Sequence, residues 1–324
     1  MLVRFFRYNY QLEILLILLV GGVLWAWGFN TALPATTTPQ DVAPLSGFLN
    51  TIRPQWLNAA LALLLVIVEA FMISSLTGRF KILGITNLLP SLVYIILVSY
   101  NQNLMALTPA LLSNFFIIIL LYHLFEIYNQ REPYLLLFNA SFLIGIAALL
   151  MPQNIFLILL IWITFVIYRS YTPREWLISL SGIVIVAAFV ATIYYLNDSF
   201  QSLLTSYGHY FRNMKTGVPD VSAEFLPFLA LIAFYTLITV PRMIIKLDDN
   251  IIKTRKRLNV VIFHALIALV LVFVNPRFWE YYIYMLFIPL SITISRLIIN
   301  IKKERNKDWV LILLLLTVLM ERIL

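Results

Sequence analysis

The segment 133–176 constrains the fold more than any other part of the chain. Two uncharged apolar runs, 134–150 and 155–168, are joined by only four residues, Met-Pro-Gln-Asn. Each run is slightly shorter than a typical transmembrane span of ~20 residues, but reaches the usual range of about 17–25 once polar flanks are counted. Arg131 precedes the first run and Arg169 follows the second. The segment therefore predicts a transmembrane helical hairpin whose two ends return to the same aqueous face.

The composition indicates an integral membrane protein. Hydrophobic residues make up 62% of the 324 residues and charged residues only 12%, whereas soluble domains average roughly 25% charged residues. Aromatic residues make up 15% of the chain, as expected where rings line the membrane interfaces. The chain has no cysteine, which excludes disulfides, thiol catalysis and thiolate metal sites.

Apolar runs recur along the whole chain and predict an all-α, polytopic bundle. We expect about eleven spans, forming a single integral membrane domain over residues 1–324. The last run is short, and it predicts either a tilted span or a re-entrant end. The runs cover approximately residues 14–29, 57–75, 82–100, 110–128, 134–150, 155–168, 177–196, 225–245, 260–274, 281–299 and 309–320.

The distribution of basic residues predicts the orientation. Alternating the loops from a cytoplasmic N-terminus gives two larger outer loops, 30–55 and 197–224, and a basic cytoplasmic loop at 246–257. Cytoplasmic loops are enriched in Lys and Arg, so we expect a multi-pass protein of the bacterial inner membrane. Contact with anionic lipid headgroups explains the basic clusters without nucleic-acid binding. Only five of the 23 Lys and Arg residues fall in outer segments: Arg53, Arg212, Lys215, Arg277 and Arg322.

The second outer loop offers a candidate anion-binding surface. His209, Arg212 and Lys215 are spaced by about one helical turn, so a short interfacial helix would present them together to a phosphate or pyrophosphate headgroup. A solvated juxtamembrane helix would show the same pattern. Arg277 and Glu280 lie at the same outer interface, where they form either a local ion pair or part of the same substrate-binding site.

Two acids are candidates for chemistry. Asp41 is the only acid of the first outer loop and could serve as a general base, although a solvated loop acid is the simpler interpretation. Glu69 lies well inside an apolar run, where a charge is costly. This buried acid either makes a structural hydrogen bond or has a proton or substrate role. No nucleotide-binding or hydrolase motif appears, so we expect no cofactor and no metal.

Three segments resemble a family of uncharacterised bacterial polytopic inner-membrane proteins. They are MPQNIFLILLIWITFVIYRSYTPREW at 151–176, ALLSNFF at 110–116 and LFNASFLIG at 137–145. In loop architecture the chain is also similar to the membrane-embedded glycosyltransferases that use polyprenyl-phosphate-linked sugars. That resemblance implies Asp41 as the catalytic base, with His209, Arg212 and Lys215 near the donor phosphate.

The leading functional hypothesis is envelope biogenesis, with transfer or polymerisation of sugar from a polyprenyl-phosphate-linked substrate on the outer face. A non-enzymatic membrane subunit of an envelope assembly, secretion or motility complex, with membrane-protein partners, is the first alternative. A small-molecule or lipid transporter built around Glu69 is the second. Sugar transfer requires a groove for a prenyl chain near the outer basic residues, and transport requires Glu69 to line a cavity.

Overall fold

The computed structural model confirms the all-α prediction. It describes residues 10–30, 49, 54–84, 87–101, 105–128, 130–168, 172–221, 225–245, 252–301 and 303–320, and none of these forms a β-strand.

These parts of the chain contain twelve α-helices, and 3₁₀ turns at Pro152–Leu157 and Pro276–Phe278 follow α5 and α10. The helices are α1 Tyr10–Asn30, α2 Gln55–Arg79, α3 Leu89–Val98, α4 Pro109–Glu126, α5 Tyr134–Leu150, α6 Ile158–Tyr168, α7 Pro173–Leu196, α8 Phe200–Arg212, α9 Leu226–Ile245, α10 Ile252–Val274, α11 Trp279–Asn300 and α12 Glu304–Met320.

Five helical segments among the described residues are long and apolar enough to cross a membrane. They are α2, α4, α7, α10 and the segment formed by the second 3₁₀ turn with α11. The shorter apolar helices include α3 and both arms of the predicted hairpin. The membrane character of the chain is therefore supported by its helices, whereas the number of about eleven crossings stays a prediction.

Helix α3 is shorter than the apolar run 82–100 predicts. Gly84 adopts a φ of +78°, a conformation that glycine adopts without steric cost. The helix begins only at Leu89, with Pro90 in its first turn. The helix has ten residues, all buried, and a length of about 15 Å at ~1.5 Å per residue. It therefore extends through only about half of a hydrocarbon core of ~30 Å.

The predicted hairpin is present, but its arms make their main contacts elsewhere. Its turn is held by Asn154, whose backbone N–H donates to the carbonyl of Met151 at 2.8 Å and whose side chain donates to the carbonyl of Ala147 at 3.1 Å. Helix α5 packs chiefly against α4 and α7 rather than α6. Gly182 of α7 permits this contact, because a Cβ there would meet the backbone of Phe142.

Helix α11 forms the centre of the bundle. It packs against α3, α4, α9 and α10, and 83% of its most apolar 18-residue window is buried, against 17% for α7. Helix α11 therefore packs inside the protein on nearly all sides. Helix α7 leaves most of its apolar surface exposed.

The segments that join the helices meet in two groups. In one, the side chain of Asn101 donates to the carboxylate of Glu280 at 3.0 Å, and the N–H of Gly217 donates to the carbonyl of Phe273 at 3.1 Å. In the other, Arg257 donates to backbone carbonyls at the ends of α2 and α4. The orientation of the two groups relative to the membrane stays a prediction.

Candidate functional site

Helix α8 is fixed to the bundle by a buried tyrosine. The hydroxyl groups of Tyr210 and Tyr282 of α11 are hydrogen-bonded at 2.9 Å, and Tyr210 is almost fully buried. Burial raises the pKa of the Tyr210 hydroxyl, and the neighbouring Tyr282 raises it further. Tyr210 therefore stays a neutral hydroxyl, and the amphipathic α8 is held against the loop that precedes α11.

A pocket of about 480 Å³ opens beside this anchor. Two cationic side chains line it, together with neutral groups that can donate hydrogen bonds, and none of its lining residues is acidic. Lys215 reaches the pocket from the segment after α8, and Arg277 reaches it from the 3₁₀ turn before α11. The lining residues are Tyr210, Asn213, Lys215, Asn275, Pro276, Arg277 and Phe278.

An apolar groove of about 510 Å³ is lined by residues that neighbour those of the pocket in sequence. It runs between α9, α10 and α11 and is closed on one side by the segment Val218–Val221. Thr236 is its only polar lining residue. The same two connecting segments border both hollows, since Lys215 and Phe278 line the pocket while Val218 and Trp279 line the groove. A cationic pocket therefore adjoins an apolar groove, and each has a volume typical of ligand sites.

The structure separates the three basic residues of the segment 197–224, which was predicted to be the second outer loop. Helix α8 ends at Arg212, and Asn213 caps it, so Lys215 does not share a helical face with His209. Lys215 lines the pocket, whereas His209 and Arg212 are exposed and are not among its lining residues.

Arg277 and Glu280 also have different surroundings. Arg277 lines the pocket, with its guanidinium carbon 5.1 Å from the ring centroid of Phe278. Glu280 is turned towards Asn101, from whose side chain it accepts its hydrogen bond. Of the two, Arg277 is the residue positioned to meet a ligand in the pocket.

The two candidate acids lie apart from this pocket. Asp41 falls outside the described residues. Glu69 is completely buried in α2 and accepts a hydrogen bond from the hydroxyl of Tyr94 at 2.7 Å. Glu69 lines neither the pocket nor the groove.

Sequence reasoning missed the neutral side chains of the site. Tyr210, Asn213 and Asn275 line the pocket, but none is ionisable near neutral pH or part of a motif. The alternation of aromatic and basic residues around Tyr210 was the available signal. Asn114, which joins Tyr94 in the core, was marked only by being an amide within an apolar run.

The apolar helices together with the all-α fold indicate a helical membrane protein with a ligand-sized pocket at one end. A family model described as a family of unknown function, DUF6427, matches residues 48–323, so the chain belongs to this family. The match agrees with the predicted resemblance to uncharacterised membrane proteins, and no resemblance to glycosyltransferases accompanies it. No curated protein matches the chain.

Proposed function

We propose that this protein is a multi-pass inner-membrane protein that binds a lipid with a phosphate headgroup. The headgroup occupies the pocket around Lys215 and Arg277, and the hydrocarbon chain lies in the adjoining apolar groove. The observation that carries the proposal is that sequence neighbours in the same two segments line a cationic pocket and an apolar groove.

The pocket chemistry favours a phosphate. A phosphate monoester carries about −1.5 to −2 charges near neutral pH and three strong acceptor oxygens. Arg277 can bind two of these oxygens at once with its planar guanidinium, and Lys215 supplies a second positive charge. The amide of Asn213 provides a neutral donor without adding a repelling carboxylate.

The groove chemistry favours an apolar chain. An amphiphile needs its polar and apolar portions met by adjoining surfaces, and Phe273 and Trp279 mark the boundary between the two here. Burying hydrocarbon in the groove contributes about 25 cal/mol per Å² removed from water. A chain already in the bilayer gains less, because the surrounding lipid is equally apolar. We therefore assign most of the binding selectivity to the headgroup.

The location follows from the charge distribution. Under the positive-inside rule the pocket faces the outer side, where few basic residues occur. Lys215 and Arg277 are two of those few, so the excess of cytoplasmic charge does not explain their presence. Binding of an anionic headgroup would explain why Lys215 and Arg277 occur there.

Sugar transfer from a polyprenyl-phosphate carrier is a compatible extension of this site. It additionally requires a base, for which Asp41 is the proposed residue, because no carboxylate lines the pocket. Envelope biogenesis is the process in which such a carrier would be used. A role as a membrane subunit or as a transporter requires neither the pocket nor the groove, and no described contact favours either role over lipid binding.

Binding of a polyprenyl monophosphate to the full chain in nanodiscs tests the proposal, with the matching polyprenyl alcohol as the neutral probe. Charge-assisted hydrogen bonds contribute roughly 1.5–3 kcal/mol each. We therefore expect the double variant K215Q/R277Q to lose at least about tenfold in affinity for the phosphate. Its affinity for the alcohol should not change.

The matched control removes two exposed cations from the opposite end, Lys253→Gln with Arg305→Gln, and should change phosphate affinity by less than about twofold. Equal affinity of the wild type for phosphate and alcohol would contradict the proposal. So would an equally large loss in the variant His209→Gln with Arg212→Gln, because it would show diffuse attraction to the loop surface instead of a pocket.

A further inference from the structure

A buried carboxyl group joins four helices in the middle of the bundle. Glu69 of α2 is 0% exposed. Its Oε2 accepts a hydrogen bond from the hydroxyl of Tyr94 of α3, at 2.7 Å. The amide nitrogen of Asn114 of α4 donates to that hydroxyl at 3.3 Å and to the backbone carbonyl of Tyr284 of α11 at 2.9 Å. The cluster is therefore a chain of polar groups enclosed by apolar helices.

The cluster has more acceptors than donors. Oε1 of Glu69 and Oδ1 of Asn114 are both buried, and neither receives a hydrogen bond from any residue in the described parts of the chain. The backbone N–H of Phe115 is a further donor beside the carboxylate. Within those parts no basic side chain forms an ion pair with Glu69. A buried carboxylate without a cation or sufficient donors is very costly in a medium of low dielectric constant. An ionised Glu69 would therefore require a positively charged partner.

A proton satisfies this requirement better than a metal cation. Hard cations such as Ca²⁺ take about six to eight oxygen ligands, whereas this cluster leaves two acceptor oxygens free. A proton needs only one oxygen, and it converts Glu69 into a neutral acid that can donate a hydrogen bond.

We propose that Glu69, held by Tyr94 and Asn114, is a proton-binding site that takes up and releases a proton in the folded protein. Intramembrane acids of this kind occur in proton relays and proton-coupled proteins. The cluster is separate from the pocket around Lys215 and Arg277, so this inference does not depend on lipid binding.

Release of the proton has a structural consequence. It leaves a negative charge on Glu69 that must be solvated, and the described surroundings offer no basic side chain to compensate that charge. Water must then reach the junction of α2, α3, α4 and α11. Helix α3 is held there by Ser91, whose hydroxyl lies 2.6 Å from that of Ser74 and donates to the carbonyl of Ala70 at 2.7 Å. These hydrogen bonds between α2 and α3 oppose the entry of water between the two helices.

Infrared spectroscopy of the full chain in nanodiscs tests the site, since neutral carboxylic acids and carboxylates absorb at different frequencies. We expect a carboxylic-acid band in the wild type that disappears in Glu69→Gln. The band should fade reversibly as the pH is raised from about 5 to about 10, a range that includes the documented titration of buried carboxyl groups. Circular dichroism recorded alongside should show unchanged helix content.

Two further variants make the test specific. Glu126→Gln removes a carboxylate that accepts from Arg79 at the helix ends and should leave the acid band unchanged. Tyr94→Phe keeps the carboxyl of Glu69 but removes its donor, so the band should shift in frequency even if Glu69→Gln folds poorly. Absence of the band at every pH would overturn the proposal, because Glu69 would be permanently ionised. A band constant over the whole range in folded protein would overturn it too, since Glu69 would then be purely structural.

Discussion

Substitution of Gly182 by Ala provides the sharpest test of the packing between α5 and α7. A Cβ at Gly182 would meet the side chain of Ser141, the backbone nitrogen of Phe142 and, at 2.7 Å, the carbonyl oxygen of Phe138. Two of these three obstacles are backbone atoms, which cannot rotate away. Alanine can be accommodated only if the two helices move apart.

The loss of stability expected for Gly182→Ala follows from the distances between the added Cβ and its neighbours. Ordinary contact with a Cβ begins at 3.4 Å, so the carbonyl of Phe138 must retreat by about 0.7 Å and the closer backbone nitrogen of Phe142 by more. A gap of this size forfeits a quarter to a half of each contact's dispersion energy. Overpacking of this kind costs about 1–3 kcal/mol, and we expect the upper end because backbone must move. The better helix propensity of Ala returns about 1 kcal/mol. We expect a net loss of about 2 kcal/mol.

Unfolding of the purified full chain in mixed micelles measures this difference. Gly22→Ala in α1 is the matched control, because no atom outside its own stretch of helix lies within 4 Å of its added Cβ. The control should be neutral or stabilised by up to about 1 kcal/mol. Equal or greater stability of the Gly182→Ala protein relative to wild type would refute the close approach of α5 and α7.

Further predictions concern the opposite end of the bundle. Arg257→Met should cost about 1–3 kcal/mol in the unfolding assay, because the carbonyls of Phe80 and Phe125 lose their donor. Wild-type stability in this variant would show that the two carbonyls do not depend on Arg257. Arg79→Gln, which breaks an exposed ion pair with Glu126 at 2.9 Å, should cost at most about 1 kcal/mol. A larger loss, measured at low and high salt, would contradict the assignment of a surface pair.

The all-α secondary structure was predictable from the sequence because long apolar runs indicate helices. The hairpin at 133–176 was expected from two uncharged runs around Pro152, and the structure has both helices and the turn. The length of α3 was not predictable from hydropathy, because the apolar run already begins at Ile82, before Gly84. Its start depends on a backbone conformation at Gly84 that hydropathy does not report.

The candidate site was predictable only in part, because it combines segments that are far apart in the chain. Spacing alone grouped Lys215 with His209 and Arg212, but α8 ends at Arg212 and the chain then turns towards α11. The partner of Lys215 in the pocket is Arg277, 62 positions later. No local sequence pattern indicates that Lys215 and Arg277 line the same pocket. They are brought together by the packing of Tyr210 against α11.

Three consecutive residues of α11 show why this helix resists sequence-based interpretation. Successive side chains on an α-helix point about 100° apart, so neighbours in sequence face different surroundings. Tyr282 anchors α8 through Tyr210, and Ile283 lines the apolar groove. The carbonyl of Tyr284 accepts from Asn114 in the Glu69 cluster. Because α11 is contacted on several faces, it has no polar side that would reveal its orientation. Its sequence therefore resembles a simple apolar span, although the helix borders the groove, anchors α8 and contacts the Glu69 cluster.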